Sequence, residues 1–467
     1  MKKIISIFLL FCSSSPLFIT IAQDNGMPNE DAWMIRKIFD KSLTEGQCYP
    51  WLHFLTKKIG NRISGSPQSY AAIEFSRQML DTLGLDSVWL MPCVVPHWSR
   101  GNKSIAKIIG SRIGDIDMKC LALGGSVATP DEGIFANVVE VKSLDEVEKL
   151  GKININGKIV FFNRPMDPTK INTFAAYGGA VDQRGSGASV AAKYGAVAVL
   201  VRSMTTRLDD IPHSGGVNYN DDSPKISAIA ISTNDAERLS SLLKTEPAKV
   251  FMKADCKWLK EKNSFNVIGE IKGKEFPNEV IVVGGHLDSW DVGEGAHDDG
   301  AGCMQSIDVL NILKKSDYQP KRTIRCVLFM NEENGLRGGK AYGEYVKNSK
   351  EKHLAAIESD AGGFSPNGFE CESISESFNQ QLKQMQDWLP LLEPYGLTLK
   401  RGGSGADISP MRPSKVLLIG LRPDSQRYFD LHHTEIDTFE MVNKRELELG
   451  TASMTSLIYL LDKYGLK

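Results

Sequence analysis

The pattern of apolar positions changes character twice along the chain. Over residues 33–84 apolar side chains recur at helical spacing, broken by the turn cluster Asn61-Arg62-Ile63-Ser64-Gly65-Ser66-Pro67. Residues 87–91 then read as a strand. Between about 120 and 250 the apolar runs are short. Residues 157–162, 196–201 and 226–231 predict strands, and 185–194 and 236–243 predict helices. This stretch reads as a self-contained module inserted into a larger domain.

From Asn263 onward strand and helix patterns alternate. Val280-Ile281-Val282-Val283 is wholly apolar, the mark of a strand buried on both faces. Residues 323–330, 354–358 and 416–420 predict further core strands, and 300–313, 338–346 and 445–464 predict helices. Alternating βα units imply an α/β fold with an open, largely parallel sheet and helices on both faces. Ligands bind such sheets at the carboxyl ends of the strands.

Composition narrows the class. The chain has 467 residues, 42% hydrophobic and 24% charged, which suits a globular protein of two or three domains. Lys plus Arg is 55 against 57 for Asp plus Glu, with no basic stripe, so nucleic acid is not an expected partner. Lys2-Lys3 precede an apolar run over 4–12 and a second over 17–22, which predicts a signal peptide at 1–22 and a secreted or periplasmic chain. The runs fall short of a membrane span and no later one follows, so no integral span is expected. Lipid anchoring at Cys12 is the lesser alternative, because Leu10-Phe11 precede it where small residues are usual. Seven cysteines follow the signal without any short spacing, so no disulfide framework is predicted.

The unusual residues cluster where the predicted strands end. Gly285-His286-Leu287-Asp288 follows one strand, Asn331-Glu332-Glu333 the next and Ser359-Asp360-Ala361 a third. His297-Asp298-Asp299-Gly300 precedes a helix, and His432-His433-Thr434 comes near the end. An unpaired charge is costly in such places unless something binds it. Mixed imidazole and carboxylate suit zinc or a similar divalent ion. Two histidines and three acids hold two ions if one carboxylate bridges. A carboxylate free of metal then takes a proton from the attacking water, and Glu332-Glu333 offers one of each kind.

These motifs, His-x-Asp, Asp-Asp-x-x-Gly, Glu-Glu, a later Asp and a late His, resemble those of the zinc peptidase family that includes bacterial aminopeptidases and glutamate carboxypeptidases. The likeness runs through most of the mature chain. It is strongest in Val95-Pro96-His97-Trp98-Ser99-Arg100-Gly101, in 285–293 and in His432-His433-Thr434. The resemblance implies a three-layer αβα domain with a mostly parallel central sheet, formed by 23–119 and 256–467. It also implies an inserted, β-rich protease-associated domain at 120–255.

The resemblance further implies two zinc ions per chain. His286 and His433 would serve separate ions, Asp298 would bridge, and Glu333 and Asp360 would complete one ion each. It makes Glu332 the general base and Asp288 a carboxylate that orients His286. His433 is preferred to His432 because it stands four before Asp437-Thr438, while His297 is read as a loop residue. The implied activity is exopeptidase cleavage of small peptides or dipeptides by a homodimer. Which peptide end is cut stays open. The alternatives are a single-zinc glutaminyl cyclase-like transferase and a non-catalytic receptor on the same fold.

Overall fold

The computed structural model describes residues 30–112 and 114–466, so the expected signal peptide and Cys12 lie outside the described residues. Two eight-stranded sheets organise the chain. The first runs, in spatial order, Ser87–Ser99, Lys257–Ile271, Arg322–Phe329, Phe276–His286, Lys352–Glu358, Leu417–Pro423, Pro366–Glu372 and Thr398–Arg401. Its four middle strands are parallel, as the βα alternation predicts. The flanking strands Ser87–Ser99, Lys257–Ile271 and Pro366–Glu372 join antiparallel to their inner neighbours.

Alternate residues of the central strand enter different cores. Ile281 and Val283 pack with the helices Glu30–Glu45, Ala301–Lys315 and Lys444–Tyr464. Val280 and Val282 pack with Tyr342 and Val346 of Arg337–Asn348 on the opposite face. Burial on both faces is why this strand carries no polar alternation. Among the helices that accompany this first sheet, two start on side-chain caps. Ser66 Oγ accepts from Ser69 N at 3.1 Å ahead of Pro67–Thr82, and Asn443 Oδ1 accepts from Arg445 N at 2.9 Å ahead of Lys444–Tyr464.

One strand is longer than the sequence suggests. The strand predicted at 87–91 continues to Ser99, paired antiparallel with Lys257–Ile271. Pro92 and Pro96 argue against a strand by pattern, but this one lies at the sheet edge, where a missing N–H is tolerated.

Ser99 pairs with Lys257, so the chain leaves the first sheet and re-enters it at neighbouring positions. Between them it builds the second sheet. This runs Gly114–Asp117, Ile105–Ser111, Lys249–Lys253, Ile134–Val141, Ile159–Phe162, Ala198–Arg202, Ser227–Ile231 and Cys120–Ala122. The strands at 105–117 thus belong to this sheet although they precede residue 120. Trp290 of the first unit joins the core of the second, and a Cβ on Gly124 would lie 1.8 Å from its ring. Phe364, Tyr428, Phe429 and Leu431 pack into the module's other core. The seven described cysteines are all free. No helix among the described residues is long and apolar enough to cross a membrane.

Candidate metal centre

The carboxyl ends of the middle strands of the first sheet converge on one point. His286 is the last residue of Phe276–His286 and is 1% exposed. Its main-chain N–H donates to Asp299 Oδ2 at 3.0 Å, and its Nδ1 lies 3.0 Å from the carbonyl oxygen of Asp288. With Nδ1 engaged by that carbonyl, Nε2 is the ring atom left to face other partners. It points to Asp298 Oδ1 at 3.2 Å and Asp360 Oδ1 at 3.5 Å.

Asp298 sits in the turn Ala296–Gly300 that leads into the helix Ala301–Lys315. The Asp437 carboxylate anchors this turn, accepting from His297 N at 2.8 Å and Asp298 N at 3.2 Å. The other Asp298 oxygen, Oδ2, is 3.2 Å from His433 Nε2, which is also 3.2 Å from Glu333 Oε2. Trp290 N donates to Glu333 Oε1 at 3.1 Å.

All five residues that the motifs single out, His286, Asp298, Glu333, Asp360 and His433, therefore meet, with Asp298 between the two imidazoles. Two groups have ligand atoms mutually within 4.8 Å: His286, Asp298 and Asp360, and Asp298, His432 and His433. His432 Nε2 stands farther off, 3.7 Å from Asp298 Oδ2. His297 faces away: its Nδ1 accepts from Gly363 N at 3.0 Å and its ring stacks on Phe364 at 4.2 Å.

Zinc bonds to nitrogen or oxygen of about 2.0–2.1 Å in tetrahedral array put neighbouring ligand atoms roughly 3.3–3.4 Å apart. The four contacts here span 3.2–3.5 Å. Asp298 Oδ2 is buried with no hydrogen-bond donor among the described residues. The donor set and its spacing fit zinc.

Residues 266–457 match the family described as Peptidase family M28. Carboxypeptidase Q of Bos taurus is 35% identical over 418 residues, 89% of this chain and 85% of that one. A solved peptidase M28 precursor from Shewanella amazonensis SB2B superposes with a TM-score of 0.88 at 31% identity, over 94% of this chain and 98% of that one. The chain belongs to peptidase family M28. A zinc aminopeptidase from Bacillus subtilis shares the fold, with a TM-score of 0.63 at 20% identity over 90% of this chain and 96% of that one. The M28 chain is a zinc metallopeptidase, as its motifs imply.

Burial and crowding of like charge set the protonation of this M28 site. Burial opposes a charge on His286, yet the Asp360 and Asp298 carboxylates override it and hold the ring well above the usual imidazole range. His433 is likewise raised against burial, to about 10, chiefly by Glu333 and Asp298. Burial pushes Glu333 up to about 7, with the Asp298 charge adding to it. Glu332 is raised well above the carboxylate range, first by burial and then by Asp360 and Glu333 acting against His286. A cluster of acids that repel one another this way is stabilised by a cation.

Several residues that build the M28 site were not singled out by the sequence. Asp299 holds both His286 N and Gly302 N, the latter at 3.0 Å. Arg62, fully buried, donates to the carbonyls of Leu287 at 2.6 Å, Glu294 at 2.8 Å and Gly295 at 2.9 Å. Asp299 and Asp437 sit inside motif strings, but Arg62 lies more than 200 residues from its partners, within an ordinary turn cluster.

A cavity of about 790 Å³ opens over the centre. Asp298, Glu332, Glu333, Asp360 and His433 line one side, and Tyr177, Arg184 and Asn218 of the inserted module line another.

Proposed function

We propose that this chain is an exopeptidase that hydrolyses small peptides with two zinc ions and Glu332 as general base. The observation that carries the proposal is the position of Asp298, whose two oxygens each face a different imidazole at 3.2 Å. His286 and Asp360 would complete one ion's ligands with Asp298, and His433 and Glu333 those of the other. Bound there, zinc would supply Lewis acidity towards the scissile carbonyl and would acidify a water molecule.

The chain's own residues do the rest. Glu332 lines the cavity and, unlike Glu333, makes no ion-pair contact with either imidazole among the described residues, so its carboxylate is left to accept the water's proton. The same carboxyl, once protonated, would return that proton to the leaving amine. Asp288 fixes the Glu332 main chain, and its carbonyl fixes the His286 ring, leaving Nε2 for metal. The inserted module, which we assign as a protease-associated domain, closes the cavity over the centre and admits only short substrates. The single-zinc cyclase and the non-catalytic receptor each call for a missing ligand, and all five are present. Export is supported by Lys2-Lys3 and the apolar run that follows, and a homodimer by the family resemblance.

The test is Glu332→Ala with metal analysis. Peptidase activity on unblocked dipeptides should fall by about 10²–10⁴-fold while the zinc content stays at the wild-type level. Undiminished activity would remove Glu332 from the mechanism.

A further inference from the structure

We propose that the inserted module is a working part of the metal centre: its His213 and Ser214 form a clip that positions His433, so that the second ion's affinity depends on the module and the first ion's does not. The proposal deepens the two-zinc reading and rests on it. The two imidazoles are held in different ways. His286 is oriented through its ring, whose Nδ1 lies 3.0 Å from the Asp288 carbonyl oxygen of the same unit. His433 lacks such a hold, because its buried Nδ1 meets no hydrogen-bond partner among the described residues. Its main chain is also in the left-handed region, at φ +64°. A residue other than glycine stays there only where its surroundings hold it.

The module supplies that hold. His213 Nδ1 lies 2.9 Å from the His432 carbonyl oxygen, and Ser214 N donates to the His433 carbonyl at 2.8 Å. A carbonyl only accepts, which assigns the proton of the first contact to His213 Nδ1. His213 is 2% exposed, and its Nε2 has no hydrogen-bond partner among the described residues. The polar service of this buried ring therefore goes to the segment that carries His433. The two carbonyls belong to the two peptide planes that flank the His433 Cα. Fixing both planes fixes φ and ψ of His433, and with them the direction in which its side chain leaves the backbone.

The clip is itself tied down. His213 N donates to Ser203 Oγ at 2.9 Å, and Ser203 Oγ donates to the Ile231 carbonyl at 2.8 Å. Both partners stand at the ends of module strands, Ala198–Arg202 and Ser227–Ile231. The Gly215 carbonyl accepts from Gly124 N at 3.0 Å. Ser214 Oγ accepts from Arg100 Nη2 at 3.0 Å, and Arg100 Nε reaches Asp291 Oδ2 of the first unit, also at 3.0 Å. His433 is thus placed from a rigid sheet outside its own unit, while His286 ends a strand of the first sheet.

The experiment titrates the full chain, stripped with a chelator, with zinc alone, beside steady-state kinetics on an unblocked dipeptide. His213→Gln keeps a polar side chain but moves its donor towards the Nε2 position, whereas His213→Asn places one near Nδ1. His213→Gln should weaken the second zinc by about 10- to 100-fold, the usual cost of losing a group that orients a ligand, and leave the first within about threefold. At limiting zinc kcat should fall while KM moves by less than about threefold, and saturating zinc should restore kcat. His213→Asn should bind both ions within about threefold of wild type. In His433→Ala, which lacks the second site, adding His213→Gln should cost no further zinc. A folded His213→Gln that keeps both ions at wild-type affinity overturns the clip and leaves the two-zinc reading intact. So does further loss of zinc in the double variant, or loss of the second ion from a folded His213→Asn. If His213→Gln does not fold, Ser203→Ala, which frees the His213 main chain, takes its place with the same selective loss expected. A wild type that binds one zinc or none sinks the two-zinc reading itself.

Discussion

Asp288 holds the proposed base by its backbone: Asp288 Oδ1 accepts the Glu332 main-chain N–H at 3.1 Å, and that of Asn331 at 2.6 Å. The Asp288 carbonyl meanwhile takes His286 Nδ1 at 3.0 Å, whereas its carboxylate is 3.9 Å from that nitrogen. One buried residue thus ties the first imidazole to the loop that carries Glu332. Its carbonyl orients the ring, and its carboxylate sets the height of the base above the strand ends.

Replacing that carboxylate should separate the two roles. Asp288→Ala keeps the carbonyl and loses the anchor for residues 331 and 332. We expect kcat to fall about 10- to 100-fold, with zinc content changed little. Steady-state kinetics beside metal analysis checks this, and loss of zinc without a change in kcat per bound zinc would place the role of Asp288 elsewhere.

Arg62 closes the 287–295 loop through three carbonyls in a fully buried position. Arg62→Ala leaves those acceptors without donors. The expected loss is about 3 kcal/mol or more of unfolding free energy, read from the denaturant midpoint. A shift under about 0.5 kcal/mol would mean that water or a neighbour takes over the carbonyls.

His353 supplies a pH dependence remote from the metal residues. Burial, aided by Arg325, lowers its imidazole from 6.5 to about 4. The unfolded chain therefore binds a proton between those values that the folded chain refuses. Stability is full above 6.5 and falls as the pH drops towards 4. His353→Gln should remove roughly 2 kcal/mol of the stability difference between pH 7 and pH 4.5. Urea titrations at the two pH values measure it, and an unchanged difference would refute a neutral, buried His353.

The apolar run 280–283 made the central strand legible, because burial on both faces leaves no other residues to choose. His286, Asp298, Glu333, Asp360 and His433 were legible for the complementary reason: ionisable residues at the ends of such strands have few structural uses. Pro92 and Pro96 hid the second half of the Ser87–Ser99 strand, since its edge position comes from tertiary pairing. Arg62 was hidden by distance along the chain, and so was His213, whose relation to the metal residues depends on how the inserted module folds back. Contacts between parts of the chain this far apart leave no local pattern.

The pairing of His286 and His433 through Asp298 is best tested by counting zinc. Purified wild-type chain, dialysed against metal-free buffer, should retain about two zinc ions per chain, and Asp298→Ala fewer than about one. One ion or none in the active wild type, or two retained by a folded Asp298→Ala, would contradict a shared carboxylate between two metals.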